Sequence, residues 1–345
     1  MFVGIRNTAP PKDTRSQIRR APMTYAPDLT QKTTPLEALS KYGLDWTVDT
    51  APLLWSPQTW YKPGADAVPV PSGHRAVYRV VDGEFLAPVS AKYRPIQNRE
   101  IAAAIESALP GEPTIVAGGE YRGGKRVWLQ ADLGEMQIGG LDPVRRFALF
   151  YSDHDGGGAL TVAPATFRIW CLNQLNAATD QHERVKIVHR GNLDTSKVAD
   201  TIRAALTGTA RWLEEFEQAA TALAEDKAID GTWLGKFFQR AYLAACTPAT
   251  RDLICAPPSH DESVRARQIK AAGKAAKRVA AMAERYESCD DGELPSALQH
   301  SRWHAFNAAT EVIDHGSRFN AESVQLGRAS KAKSDIFALA GSLEM

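Results

Sequence analysis

The chain has 345 residues, 44% hydrophobic and 23% charged, enough apolar content for a real core and too much for wholesale disorder. Its formal net charge of +1 excludes a global pull toward nucleic acid, membrane or acidic substrates, so any such attraction must come from local patches. No run approaches the ~20 apolar residues of a transmembrane helix, and residues 1–11 lack the apolar stretch of a secretory signal. A cytoplasmic protein with no membrane partner is expected.

Residues 1–34 hold Pro10, Pro11, Pro22 and Pro27 with little apolar periodicity. Arg6, Lys12, Arg15, Arg19, Arg20 and Lys32 outnumber Asp13 and Asp28 there. The segment is expected to be a flexible basic arm, either a phosphate contact or a solvated tail.

Thr34-Pro35-Leu36-Glu37 opens a short helix with proline at its first position. Alternation at Leu44, Trp46 and Val48, and at Ala76, Tyr78 and Val80, predicts short strands. Asn98 reads as the cap of a helix carrying Ile101, Ala104, Ile105 and Ala108, ended by Pro110-Gly111. Residues 114–121 and 126–133 form a hairpin across Arg122-Gly123-Gly124-Lys125, where glycine supplies positive φ. Residues 147–152 and 159–162 form a second, across Asp153 to Gly158. A helix over about 166–178 is predicted from Phe167, Trp170, Cys171 and Leu175.

Beyond residue 190 the spacing is helical throughout, near 194–225, 231–245, 261–288, 300–318 and 322–340. Pro257-Pro258 and Asp290-Asp291-Gly292 interrupt it. The fold class is α+β: antiparallel hairpins flanked by helices in the N-terminal half, and an α-helical C-terminal half. Three parts are expected: the arm at 1–34, an α+β domain at 35–190, and a helical region at 191–345 packed on it.

Motifs for chemistry are sparse. Cys171, Cys246, Cys255 and Cys289 fit neither a zinc spacing nor a disulfide scaffold and read as reduced thiols, with Cys171 in the core. The glycine pairs are not a phosphate-cradling loop, and no cofactor is implied. Asp153-His154-Asp155 is expected to be a polar turn. His300, His304, Asn307, Glu311, Asp314 and His315 share one helical face, opposite Phe306, Ala309, Val312 and Ile313. That face is either solvated and hydrogen-bonded or the wall of a functional groove. The two histidines have i,i+4 spacing, but His315 lies about 16 Å along the axis at ~1.5 Å per residue.

Two basic patches suit nucleic acid. On the helix near 261–288, Arg267, Lys270, Lys274, Lys277 and Arg278 stack at i, i+3, i+7 and i+10/11, which can track a phosphate backbone. At the hairpin tip, Arg122, Lys125 and Arg126 lie beside Tyr121 and Trp128, with Arg145-Arg146 nearby. Trp128 shares a face with Arg126; either that face is open and stacks on bases, or Trp128 packs on a neighbouring element.

Several stretches carry a resemblance when taken in order: residues 42–48, 89–98, 124–128, 152–156, 167–175 and 303–315. Together they resemble the phage/plasmid-like proteins grouped as domain of unknown function 932, from about residue 36 onward. The resemblance implies a mobile-element protein of no established activity. It draws notice to Tyr93, Pro95, Asn98, Arg168, Asn173, Asn307, Glu311, Asp314 and His315. The order helix, hairpins, helix is also similar in topology to phage single-strand annealing proteins of the RecT and lambda beta type.

The reading carried forward is a protein binding single-stranded DNA or another single-stranded nucleic acid during replication or recombination of a mobile element, with strand annealing as one mode of action and a homo-oligomer as one partner state. The alternatives are an enzyme using His304, Glu311, Asp314 and His315 with Arg168 and Asn173, or a protein-interaction factor.

Overall fold

A computed structural model describes residues 30, 33–55, 70–109, 113–157, 159–168, 173–176, 185–188, 195–289, 293–316, 322–323 and 327–341. All the charged residues of the expected basic arm, Cys171, Pro110-Gly111 and the segment 290–292 lie outside the described residues. So do the side chains of Arg168, Asn173 and His315.

Helix α1 (Pro35–Lys41) begins where Thr34 and Glu37 cap each other: the Thr34 hydroxyl accepts from Glu37 N, and the Glu37 carboxylate accepts from Thr34 N at 3.0 Å. Three antiparallel strands follow as one sheet, β1 (Val48–Trp55), β2 (Val70–Arg79) and β3 (Phe85–Ser90). Helix α2 (Asn98–Ala108) is capped by Gln97 rather than Asn98. Asn98 is the first helical residue, 3% exposed, and its amide donates to Leu44 O at 2.9 Å. It was too deeply placed to act as a cap because its side chain ties the helix to the chain before β1.

The second sheet is antiparallel, ordered β4 (Ile115–Tyr121), β5 (Arg126–Ile138), β6 (Asp142–Asp153), β7 (Ala159–Arg168), β8 (Asn173–Asn176), with β9 (Val185–Val188) also on β7. The turn between β4 and β5 has positive φ at Arg122, Gly123 and Gly124. β5 and β6 run on past their expected ends to a turn at Gly139-Gly140, making the longest hairpin of the fold. The helix expected over 166–178 is corrected where that stretch is described: residues 166–168 and 173–176 are strands. Residues 159–168 are a strand paired along β6, and Arg168 and Asn173 are register partners across β7 and β8. A short apolar run fits a helix or a buried strand equally by spacing, and cross-strand pairing decides it.

The C-terminal half is helical, as expected: α3 (Thr195–Glu225), α4 (Gly231–Ala245), α5 (Pro248–Cys255), α6 (Glu262–Glu287), α7 (Arg302–Gly316) and α8 (Arg328–Gly341). Asp230, Thr247 and Asp261 cap α4, α5 and α6 by accepting from backbone N–H groups three residues on. The short α5, with proline at its first turn, was not expected.

Two main cores result. One gathers α1, α2, both sheets and the start of α3 around Leu39, Ile105 and Phe150. The other gathers the far ends of β5 and β6 with α4, α7, α8 and the end of α6, around Phe237, Trp303 and Ile336. β5 feeds both: Val127, Leu129 and Ala131 enter the first core, Met136 and Ile138 the second. α3 does the same with Ile202 and then Phe216.

Candidate nucleic-acid interface

Helix α6 is inward-facing along one narrow stripe. Val264, Gln268, Ala271, Ala275 and Val279 are half-buried, and only Met282 and Tyr286, near its end, are buried. The basic residues occupy the adjoining sector in two rows, Arg267, Lys274 and Arg278 at i, i+7 and i+11, and Lys270 and Lys277 at i and i+7. Four of these five are exposed and Arg278 is half-buried. Among the described residues none of the five makes an ion pair, whereas Arg79, Arg126, Arg145, Arg285 and Arg302 all do. The five cations extend over about 16 Å at ~1.5 Å per residue.

The arrangement carries an electrostatic cost. Lys270 and Lys274, and Lys274 and Arg278, are like charges at i,i+4, each pair destabilising an isolated helix by about 0.2–0.5 kcal/mol. A polyanion laid along this sector relieves the repulsion and gains the attraction together.

The hairpin tip is different. The Arg126 guanidinium chelates Asp153, with one contact at 2.9 Å, and its remaining edge reaches Glu322 at 3.0 Å. Arg122 is exposed but pairs with the same Glu322 at 2.9 Å. Lys125 is half-buried, and its carbonyl accepts from His154 N. Arg145 pairs with Asp132 and Glu135. Trp128, the candidate stacking residue, is 2% exposed and lies parallel to Tyr121, itself buried, with ring centroids 6.0 Å apart. Its face of β5 packs with Phe147, Leu149 and Tyr151. The open face weighed for Trp128 is therefore corrected: the strand turns both sides inward.

The polar turn expected at Asp153-His154-Asp155 begins at the end of β6, and its first two residues are buried. His154 is fully buried, its Nε2 2.9 Å from Asn98 Oδ1 and its ring edge-on to Trp46. Tyr93, another residue of the shared motifs, is buried beside it. Burial first, then Asp155 and Asp153, raise the Tyr93 phenol above its ordinary pKa. These motif residues tie α2, β3 and the end of β6 together.

The polar face of α7 is internal. His300 precedes the helix with φ 58°, so it does not stand above His304 on a helical face. Its backbone N donates to His304 Nδ1 at 3.2 Å, and His304 stacks on Tyr286 of α6 at 4.3 Å between centroids. Asn307 is buried and donates to Trp303 O. Glu311 pairs with Arg285 at 2.9 Å and Asp314 with Lys333 at 3.0 Å. Trp303 Nε1 donates at 2.8 Å to Asp142, at the start of β6. Both sides of α7 are buried because helices pack on one and the β5–β6 hairpin with its neighbours on the other.

Of the residues singled out, the five of α6 form an accessible, unpaired cationic surface. Arg122, Arg126 and Trp128 are engaged within the fold, as are Asn98, Asn307, Glu311 and Asp314, whereas Lys125 is tied through its backbone carbonyl and its half-buried side chain makes no ion pair among the described residues. Sequence patterns did not single out Arg251 on α5, a helix packed against α6; no spacing rule links the two.

No curated protein and no solved structure matches the chain. The family model described as "Domain of unknown function (DUF932)" matches residues 85–335, from β3 into α8. That match takes in most of both cores, the α6 sector and the whole of α7, and the chain belongs to this family.

Proposed function

We propose that this protein binds nucleic acid by its phosphate backbone, with the cationic sector of α6 as the contact. The observation that carries the reading is the unpaired state of Arg267, Lys270, Lys274, Lys277 and Arg278 on a helix that buries little else along its first five turns. Exposed cations add little to stability, and here they repel one another, so their clustering favours an external anion. The single-strand reading expected earlier drew on the two basic patches, on Tyr121 and Trp128 as stacking rings, and on the family context. With both rings packed inside, recognition rests on phosphates without base stacking from that hairpin. Of the groups named for the catalytic alternative, His304 and the Asp314 side chain are buried and Glu311 is held by Arg285, while the side chains of His315, Arg168 and Asn173 lie outside the described residues.

Fluorescence anisotropy with a labelled oligonucleotide, single-stranded and duplex, across a salt titration tests the reading. Five neutralised phosphates give log–log slopes of about −3.5 for single strands and about −4.5 for duplex. Lys270→Ala with Lys274→Ala flattens each slope by about two-fifths. Absence of binding to either form at low salt overturns the reading.

A further inference from the structure

Beyond its cationic sector, α6 carries a second solvent-facing surface, and this one is apolar. Ala266, Ile269, Gly273, Ala276, Ala280 and Ala283 are all exposed and follow one another at three- and four-residue steps, the heptad spacing of a two-helix seam. Ile269 is 67% exposed, the one large apolar side chain on a described helix that stands in solvent. Nothing lies within 4 Å of where a Cβ on Gly273 would be, so the centre of the face is open to another backbone. From Ala266 to Ala283 the face runs about 26 Å at ~1.5 Å per residue.

The charge along α6 points to what covers this face. From Arg265 to Arg278 every charged residue is cationic, whereas Glu284 and Glu287 in the last turn are acidic, exposed and outside any ion pair among the described residues. A second α6 laid parallel sets like charges level along the whole seam. An antiparallel one, with Ala266 opposite Ala283 and Gly273 opposite Ala276, sets the acidic end of each helix beside the cationic start of the other, and the helix dipoles oppose. Lys270 and Glu284 project to the same flank. In this register they stand about 7 Å apart along the axis at ~1.5 Å per residue, and each leans toward the other because helical side chains tilt to their own N-terminus.

We propose that α6 is the contact between two copies of this chain, paired antiparallel through Ile269, Gly273 and Ala276. The two-fold axis of such a pair is perpendicular to both helices and leaves each flank on its own side. The cationic sectors therefore lie side by side and double the surface that a polyanion meets. Lys277 of one copy approaches Lys277 of the other, a repulsion that a bridging anion removes. The dimer stands on the exposure and charge of this face; only the use of its doubled surface rests on the nucleic-acid reading.

Sedimentation velocity of the full-length protein over a concentration series, with and without a short oligonucleotide, tests this. A monomer–dimer equilibrium is expected, moved toward dimer by the oligonucleotide. Ile269→Glu places a charge in the seam and is expected to weaken the dimer at least about tenfold with the circular dichroism spectrum unchanged. Orientation is read separately. Chains carrying Ala266→Cys and chains carrying Ala283→Cys are mixed and oxidised, and peptide mass spectrometry is expected to find the bridge between positions 266 and 283.

A protein monomeric at every concentration, with the oligonucleotide and without it, overturns the proposal. So does a dimer that survives Ile269→Glu, or a bridge found only between position 266 of both copies, which is the parallel arrangement. A dimer dissolved by Ile269→Glu in a protein that binds no oligonucleotide upholds the contact and overturns the nucleic-acid reading alone.

Discussion

Lys333 and Asp314 face each other at 3.0 Å with both side chains 1% exposed. The last helix of the fold is thus pinned to α7 by a charge pair shut off from water. Burying two charges costs several kcal/mol per ion, so the pair holds only while both members are present.

Lys333→Met leaves the Asp314 carboxylate buried without that partner and is expected to destabilise by about 3–5 kcal/mol. Replacing both, with Asp314→Leu added, recovers most of the loss. Urea unfolding of the two variants checks this, and a single variant as stable as the parent refutes it.

Trp303 and Asp142 join α7 to the β5–β6 hairpin through one hydrogen bond at 2.8 Å. Trp303→Phe keeps an aromatic ring but withdraws a donor from a fully buried carboxylate. A loss of about 1.5–3 kcal/mol is expected, with part returned by Asp142→Asn in the same chain. Denaturant midpoints of the single and double variants measure it.

Gly118 in β4 allows a close approach. A Cβ there lies 2.8 Å from both Leu129 Cδ2 and Tyr42 Cδ2. Gly118→Ala therefore forces the turn after α1 away from the sheet, at an expected cost of about 1–3 kcal/mol. Thermal melting tests it. The same change at Gly208 in α3, where nothing lies within 4 Å, is expected to stabilise instead.

Burial pushes the Tyr286 phenol up to about 12 from 10.0, with Glu287 adding to the shift. The unfolded chain ionises this group first, so its contribution is complete below pH 10 and is lost as the pH rises toward 12. Stability followed across that range is expected to fall in step, and Tyr286→Phe to remove that part of the dependence.

The helices were legible because their signals are local. Thr34-Pro35 announces one start, and apolar spacing fixes the inward stripe of the later helices within a few residues. The first hairpin was equally plain from its glycines. What failed was non-local. Phe167 and Leu175 have helical spacing, but the partner that makes residues 159–168 a strand is β6. Whether the polar face of α7 is solvated, hydrogen-bonded or a groove wall stayed open in the sequence because two of its partners, Arg285 and Lys333, lie on other helices. Trp128 was read beside Arg126 correctly, yet nothing in the alternation says that both faces of β5 are covered. The α6 stripe was visible because cations need no partner to be counted.

The hairpin of β5 and β6 has a consequence for unfolding. Its near half lies in the core of the sheets and its far half in the core of the helices, with Leu133 touching both. α3 repeats the link. Neither half of the molecule can then melt while the other keeps its strands in register. The chain is expected to lose its structure in a single calorimetric transition, with equal van't Hoff and measured enthalpies.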